Sequence, residues 1–157
     1  MSTAHEKWLD LVISSNKLLV ADNWNLKEAC IVEQCPIHAE VELVFLENLN
    51  HKFVIAVLVK GWHASESNSS EVISVDSGWL LVGDSETFES GFTPDELERK
   101  IEEGFDRVGN KSPLVVPIPN KKGESCGFVI ATGLGDGRYE LKQTCDDEKW
   151  KLLVEFL

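Results

Sequence analysis

The sequence predicts an α+β fold that consists mostly of antiparallel sheet and has two helices. Short apolar or alternating runs of strand length, separated by turn residues, dominate the 157 residues. Two segments, at about 4–15 and 94–106, instead show helical spacing behind a capping-box pattern. No linker or repeat divides the chain, and its length suits one domain. We therefore expect a single domain over residues 1–157.

The first predicted helix lies at the N-terminus. Thr3 and Glu6 have the capping-box spacing, in which each side chain hydrogen-bonds the other's free backbone N–H. Trp8, Leu11 and Val12 then recur on one helical face. The pattern predicts a helix over about 4–15 in which Trp8 faces the core.

The second predicted helix has the clearest start signal in the chain. Thr93 can cap it, Pro94 suits the first helical position, and Glu96 completes a capping box. One face is apolar, and the remaining surface offers oppositely charged side chains four residues apart. The apolar positions are Leu97, Ile101 and Phe105, and the expected ion pairs are Asp95/Arg99, Glu96/Lys100 and Glu103/Arg107.

The strands follow two patterns. An alternating run at 40–47 and a run at 53–59 that is apolar on both faces predict an antiparallel hairpin whose second strand is central. Pro117 cannot donate to a ladder, so the run 114–118 is expected to be either an edge strand or an irregular strand. Runs at 127–131, 139–144 and 150–156 predict a three-stranded antiparallel meander.

Charge limits the partners that this chain can attract. The net charge is -12, and residues 61–110 contain 12 acidic residues against three basic ones. Such a field repels nucleic acid and anionic lipid, and it attracts cations and basic proteins. The same charge could also serve only solubility. No apolar run is long enough to span a membrane and no secretory signal is recognisable, so we expect a cytoplasmic protein.

No pattern in the sequence indicates catalysis, a cofactor or a metal. Cys30, Cys35, Cys126 and Cys145 form no CxxC pair and are expected as buried free thiols. The four histidines show no metal-binding spacing, and no serine lies in a nucleophile motif.

A glycine-rich segment and several strand-end carboxylates are the candidates for a ligand site. Residues 133–139 have too short a glycine spacing for a dinucleotide loop, so they indicate either a structural turn or a turn that lets a ligand approach the backbone. Carboxylates near glycines could converge on Mg²⁺ or Ca²⁺, or they could be ordinary turn residues. The candidate ligand-binding residues are Asp76, Gly78, Asp84, Gly135, Asp136, Gly137 and Tyr139, with Glu86 as a further carboxylate.

Two of the five tryptophans are candidates for an interface. Trp24 and Trp62 stand at loop starts, where an exposed indole can anchor a partner or a half-buried one can cover a strand end. Glu66 and Glu71 lie in the acidic middle segment, residues 61–110, and complete the candidate interface set.

Five motifs occur in a fixed order over about residues 72–157. They are Val75–Gly78, Gly83–Glu86, the helix 97–105, Ala131–Tyr139 and Val154–Phe156. This order resembles a bacterial domain-of-unknown-function family with VDxG, SGxGDGxY and C-terminal acidic-Phe motifs. The resemblance implies one bacterial, cytoplasmic domain with Asp76, Gly78, Asp84 and the GDG turn at one end of the sheet.

The chain departs from that family pattern at two places. Glu140 follows Tyr139 where the family usually has proline, and the last hairpin contains Asp146-Asp147-Glu148 without glycine. A tight two-residue turn should therefore be excluded there, and we expect a longer loop.

These observations favour a non-enzymatic protein-binding module, of the immunity or antitoxin kind, that covers a basic protein with its acidic middle segment. The alternative is a divalent-metal-dependent enzyme or small-ligand binder that uses Asp76, Asp84 and Asp136. A third hypothesis is an interaction module of a larger assembly, with Trp24 and Trp62 as contacts.

Overall fold

The computed structural model describes residues 2–22, 25–48, 51–62, 69–75, 78–108, 115–131 and 137–156. They form two antiparallel sheets, a π-helical turn at Thr87–Gly91 and one α-helix, α1 (Pro94–Val108). The strands are β1 (Ser2–Val12), β2 (Leu18–Asp22), β3 (Asn25–Val32), β4 (His38–Asn48), β5 (His51–Trp62), β6 (Ser69–Val75), β7 (Trp79–Asp84), β8 (Val115–Pro119), β9 (Ser125–Ala131), β10 (Gly137–Asp146) and β11 (Lys149–Glu155).

The strands divide into a six-stranded and a five-stranded sheet. The six-stranded sheet has the order β1-β4-β5-β11-β10-β6, and the five-stranded sheet has the order β3-β2-β7-β9-β8. Every strand pair in both sheets is antiparallel. The expected mostly antiparallel architecture is therefore present, with strands more dominant than an even α+β division implies.

The five-stranded sheet is the middle of three layers. Leu18, Val20 and Leu80 face a core shared with the six-stranded sheet. Leu19 and Leu81, one residue away, face a second core shared with the helices. Successive side chains of a strand point to opposite faces, so a strand covered on both faces has no exposed side and is largely apolar. This explains why β2 is buried at every residue.

The helical turn packs on the five-stranded sheet through a glycine pair. Gly83 and Gly127 lie opposite each other in the β7–β9 ladder. A methyl group at Gly83 would come within 1.6 Å of the Phe88 ring, and one at Gly127 within 2.4 Å. Only hydrogen leaves room for the ring at these two positions, so the glycines fix where the helical layer begins.

The predicted N-terminal helix is wrong, because residues 2–12 form β1 and pair with β4. A β-bulge between Lys7 and Leu9 breaks the two-residue alternation. The extra residue gives Trp8, Leu11 and Val12 a spacing that imitates a helix. Trp8 is 39% exposed rather than facing the core.

The second helix is confirmed over the predicted residues. The Glu96 backbone N–H donates to Thr93 Oγ1 at 3.2 Å, and the Thr93 N–H donates to Glu96 Oε1 at 3.4 Å. Leu97 and Ile101 are buried against the five-stranded sheet, and the half-buried Phe105 ring packs edge-on to Trp79. None of the three expected ion pairs forms within 4.0 Å among the described residues.

The strand predictions are partly confirmed. The hairpin of β4 and β5 and the edge position of β8 are confirmed. The meander is wrong, since β9 belongs to the five-stranded sheet while β10 and β11 pair in the six-stranded one. The expected long loop between β10 and β11 is also wrong. Asp147 and Glu148 make a two-residue turn with φ of 50° and 63°, a left-handed geometry that usually takes glycine.

Candidate functional site

Asp84 ends β7 and is a fully buried carboxylate with a complete set of donors. Its Oδ1 accepts from the Ser15 N–H at 2.9 Å and from Ser15 Oγ at 2.6 Å. Its Oδ2 accepts from Thr87 Oγ1 at 2.7 Å and from the Thr87 N–H at 3.1 Å. The carboxylate thus ties the β1–β2 turn to the start of the helical layer.

The electrostatics of Asp84 fit this structural role. Burial by itself would raise the pKa of this carboxyl, but the hydrogen bonds from Ser15 and Thr87 outweigh burial and lower it. Asp84 is therefore charged at neutral pH and has its lone pairs occupied. An ion could bind it only by displacing these donors.

Gly78, another described ligand candidate, lies at the opposite end of β7, whereas the exposed Glu86 follows Asp84 by two residues. Gly78 immediately precedes β7, and Gly137 begins β10 opposite Val75. Asp84 lies five residues beyond Trp79 on the same strand, about 17 Å away at about 3.3 Å per residue. The structure therefore does not bring Asp84 to the end of the sheet where the glycines lie.

Tyr139 and Glu71 have separate surroundings. Tyr139 is buried in the core between the sheets and makes an edge-on contact with Phe156, with ring centroids 5.6 Å apart. Glu71 is exposed on β6, and burial together with the negative charge of Glu71 raises the pKa of the Cys30 thiol to about 11. Five candidates of the sequence analysis lie outside the described residues, namely Trp24, Glu66, Asp76, Gly135 and Asp136.

Two of the cysteines, Cys35 and Cys126, are buried thiols without nucleophilic character. All four are free, as expected, although only Cys35 and Cys126 are buried. Burial raises the pKa of Cys35 to about 12 and that of Cys126 to about 11, so both stay protonated at neutral pH. Within the described ranges, no three His, Cys, Asp or Glu side chains come together in a group that could hold a metal ion.

Within the acidic middle segment, residues 86–108 form a distinct surface, which we name the acidic helical layer. This stretch has eight acidic and three basic residues. Seven of the acidic side chains are exposed: Glu86, Glu89, Asp95, Glu98, Glu102, Glu103 and Asp106. The eighth, Glu96, is half-buried in the capping box. Within the part of the chain that the structure describes, no basic side chain lies within 4.0 Å of any of these eight carboxylates.

Four of these carboxylates lie on one stripe of α1. Asp95, Glu98, Glu102 and Asp106 are spaced by three, four and four residues, which places them on one helical face. All four are exposed, on the side of α1 away from the buried Leu97 and Ile101. We name this set the acidic stripe.

The outer face of the six-stranded sheet is charged in a different way. Five of its acidic residues each lie within 4.0 Å of a lysine, namely Asp10, Glu40, Glu42, Glu140 and Glu155. Glu42 is the most enclosed, with Lys60 and His5 each at 2.6 Å. The hydrogen bond from Lys60 is the main cause that lowers the pKa of Glu42. Three lysines, Lys7, Lys60 and Lys142, thus offset part of the negative charge on this face.

The same outer face contains a groove that sequence reasoning missed. It has a volume of about 650 Å³ and crosses β1, β4, β5 and β11. Trp62, an interface candidate of the sequence analysis, lies on it and is 70% exposed. This exposure rules out the half-buried alternative for Trp62. The groove residues come from four distant segments, and only the exposed Trp62 gave a signal in the sequence.

Comparison with protein-family models, with curated proteins and with solved structures finds no match for this chain. No helix among the described residues has both the length and the apolar content needed to cross a bilayer.

Proposed function

We propose that this protein is a non-enzymatic binding module that docks a basic protein through the acidic helical layer, in the manner of a cytoplasmic bacterial immunity protein or antitoxin. One observation carries the proposal. Among the described residues, the eight acidic residues over 86–108 have no ion-pair partner within 4.0 Å, whereas five acidic residues of the six-stranded sheet each lie within 4.0 Å of a lysine.

The arrangement of these acids works against the helix itself. Glu98, Glu102 and Asp106 are successive like charges four residues apart, and each such pair destabilises a helix by about 0.2–0.5 kcal/mol. Asp106 also lies in the last turn, where the helix dipole favours cations. Helix stability therefore does not explain the acidic stripe, while a cationic partner would turn its repulsion into attraction.

The layer is also held rigidly enough to present a defined surface. Phe88, Phe92, Leu97 and Ile101 are buried in the second core against the five-stranded sheet. The capping box fixes the start of α1, and the Lys100 ammonium lies 5.2 Å from the centre of the Phe92 ring. A preorganised charged surface loses little entropy when a partner binds.

Affinity capture with a charge-matched control tests the proposal. The stripe variant E98Q/E102Q/D106N and the control E28Q/E33Q/E47Q each remove three exposed carboxylates and leave the same net charge. Wild type and control should retain the same basic protein from the source cells at low salt. The stripe variant should lose it, as should wild type at about 1 M salt, where the Debye length is about 3 Å.

Two results would contradict the proposal. One is that no basic protein is retained at low salt. The other is that the stripe variant and the control bind the partner equally, which would mean that net charge rather than the acidic stripe determines capture.

The alternative of a divalent-metal site has less support. Asp84 is saturated by Ser15 and Thr87 and lies about 17 Å along β7 from the glycine end, so it cannot share an ion with a site there. Thermal shift with Mg²⁺, Ca²⁺, Mn²⁺ and Zn²⁺ separates the two functions, because a site formed by Asp76 and Asp136 would raise the melting temperature.

A further inference from the structure

We propose that the groove on the outer face of the six-stranded sheet binds a small aromatic anion, with its ring stacked on Trp62 and its anionic group paired with Lys151 and Lys149. This site lies on another layer than the acidic helical layer and does not depend on the function proposed above.

The shape of the groove suits a small molecule. Its volume of about 650 Å³ lies within the range of about 300–1,000 Å³ that is typical of ligand pockets. Four neighbouring strands about 4.8 Å apart make it about 14 Å wide. Leu11, Ala39, Gly61 and Trp150 contribute to its lining between the charged positions.

Trp62 supplies an aromatic surface at one end of the groove. It ends β5 and lies opposite Lys149 of β11. The Lys149 ammonium is 5.7 Å from the centre of the Trp62 ring, yet 70% of the residue's surface is exposed. A tryptophan exposed to this degree leaves ring surface to which a planar ligand can stack, with a cation beside it.

Two of the three lysines of the groove carry positive charge that no described carboxylate balances. Lys60 and Lys151 lie directly opposite each other, an arrangement that destabilises a sheet unless the charges are balanced. Glu42 balances Lys60 at 2.6 Å, but neither Lys149 nor Lys151 has a carboxylate within 4.0 Å among the described residues.

The two acidic residues of the groove do not supply that balance. Asp10 and Glu40 are held by Lys7, at 2.9 Å and 3.5 Å respectively. In a chain of net charge -12, Lys149 and Lys151 therefore bring positive charge that no described carboxylate balances next to an exposed indole. They select an anion, and the indole selects an aromatic one.

Polyanions and cations fit less well. The overall negative charge repels a nucleic acid strand, whereas one carboxylate or phosphate group meets only the local lysines. A cation would meet Lys149, Lys151 and Lys60 at the wall of β5 and β11. The groove therefore fits a ligand that has one planar ring and one anionic group, which is either a carboxylate or a phosphate.

Fluorine NMR of protein labelled with 5-fluorotryptophan can test this on the full chain, since five tryptophans give few resonances and W62F assigns that of Trp62. Indole-3-acetate is the carboxylate probe and adenosine 5′-monophosphate is the phosphate probe. Indole-3-acetamide and adenosine are their neutral counterparts.

We expect one of the anionic probes to shift the Trp62 resonance saturably, and its neutral counterpart to bind at least about tenfold more weakly, since charge-assisted pairs exceed neutral ones in strength. K151Q and W62A should each weaken binding of that probe by about tenfold or more. Calorimetry measures the affinity of W62A, which lacks the reporting resonance. The control K121Q, on a distant exposed turn, should bind the probe as wild type does. Equal binding of charged and neutral probes would overturn the proposal. So would unchanged binding by K151Q, or binding only by an acidic peptide.

Discussion

At the scale of single residues, Asp84 shows how a predicted ligand can instead be a structural tie. Its carboxylate joins the β1–β2 turn, the end of β7 and the first helical turn through Ser15 and Thr87. A carboxylate beside a glycine in the sequence does not reveal which donors will surround it. Those donors come from positions 69 residues earlier and three residues later.

Asp84→Asn should lower the free energy of unfolding by about 2–3 kcal/mol, because an amide replaces a charged acceptor and turns an N–H₂ group toward existing donors. Urea denaturation at neutral pH measures the loss. Glu86→Gln, an exposed neighbour, is the control and should stay within about 0.5 kcal/mol of wild type. Equal effects of the two variants would refute the structural role.

The pH dependence provides a second readout of Asp84. Its folded pKa is lowered, so its contribution is complete above the unfolded value of about 3.9 and is lost as pH falls toward the folded pKa. The difference between wild type and Asp84→Asn should therefore shrink as pH is lowered from about 5 to about 3. A difference that is constant over this range would mean that the charge of Asp84 contributes nothing.

The turn between β10 and β11 has unfavourable residues at both central positions. Asp147 and Glu148 adopt left-handed φ values of 50° and 63°, which cost a residue with a Cβ about 1–2 kcal/mol. The double change D147N/E148G installs the preferred Asn-Gly pair and should stabilise the protein by about 1–2 kcal/mol in urea. Thr144→Gly, in the interior of β10, should destabilise it. A loss of stability in D147N/E148G would contradict this geometry.

At the scale of elements, the sequence predicted those segments whose pattern is local. The capping box and apolar spacing placed α1 correctly because every contact that defines its start lies within a few residues. β1 was predicted as a helix because a bulge at Trp8 disrupts the alternation of a strand. A bulge exists only relative to the partner strand, so no local pattern reveals it.

Helix α1 packs on β8 through a glycine that sequence reasoning did not single out. A methyl group at Gly104 would lie 2.1 Å from Cγ1 of Val116, a fully buried residue of β8. Alanine favours a helix over glycine by about 1 kcal/mol, but overpacking costs about 1–3 kcal/mol. Since the clash is with a rigid side chain, packing should outweigh propensity.

Gly104→Ala should therefore lower stability by about 1–2 kcal/mol in urea denaturation, net of the gain in helix propensity. Val116→Ala removes the clashing methyl group, so the double variant should be more stable than the sum of the two single changes predicts. Gly91→Ala, where a methyl group meets only ordinary contacts of 3.5 Å or more, is the neutral control. If the stability changes of Gly104→Ala and Val116→Ala are strictly additive, Gly104 does not determine the distance between α1 and β8.

At the scale of the whole molecule, the sequence predicted where charge accumulates but not how it is paired. The acidic excess of residues 61–110 is visible in composition, and eight of those 12 acidic residues lie in the acidic helical layer. Pairing on the six-stranded sheet depends on cross-strand register, which joins Asp10, Lys60 and Lys151 across most of the chain. The groove follows from that register and was therefore not predictable.

This division of charge between layers predicts opposite effects on stability and on partner binding for one substitution. Glu102→Lys replaces two repulsive pairs of the acidic stripe with attractive ones, and a cation suits the C-terminal half of α1. It should stabilise the isolated protein by about 0.5–1 kcal/mol at low salt and weaken capture of the basic partner.

Asp95→Lys makes the same charge change at the N-terminal end of the stripe, where a cation opposes the helix dipole, so it should not stabilise the protein. Urea denaturation at low salt and at about 1 M salt measures both variants, and the gain of Glu102→Lys should disappear when the charges are screened. Equal shifts for the two variants would mean that net charge alone acts, and that the orderly placement of carboxylates along α1 has no energetic consequence.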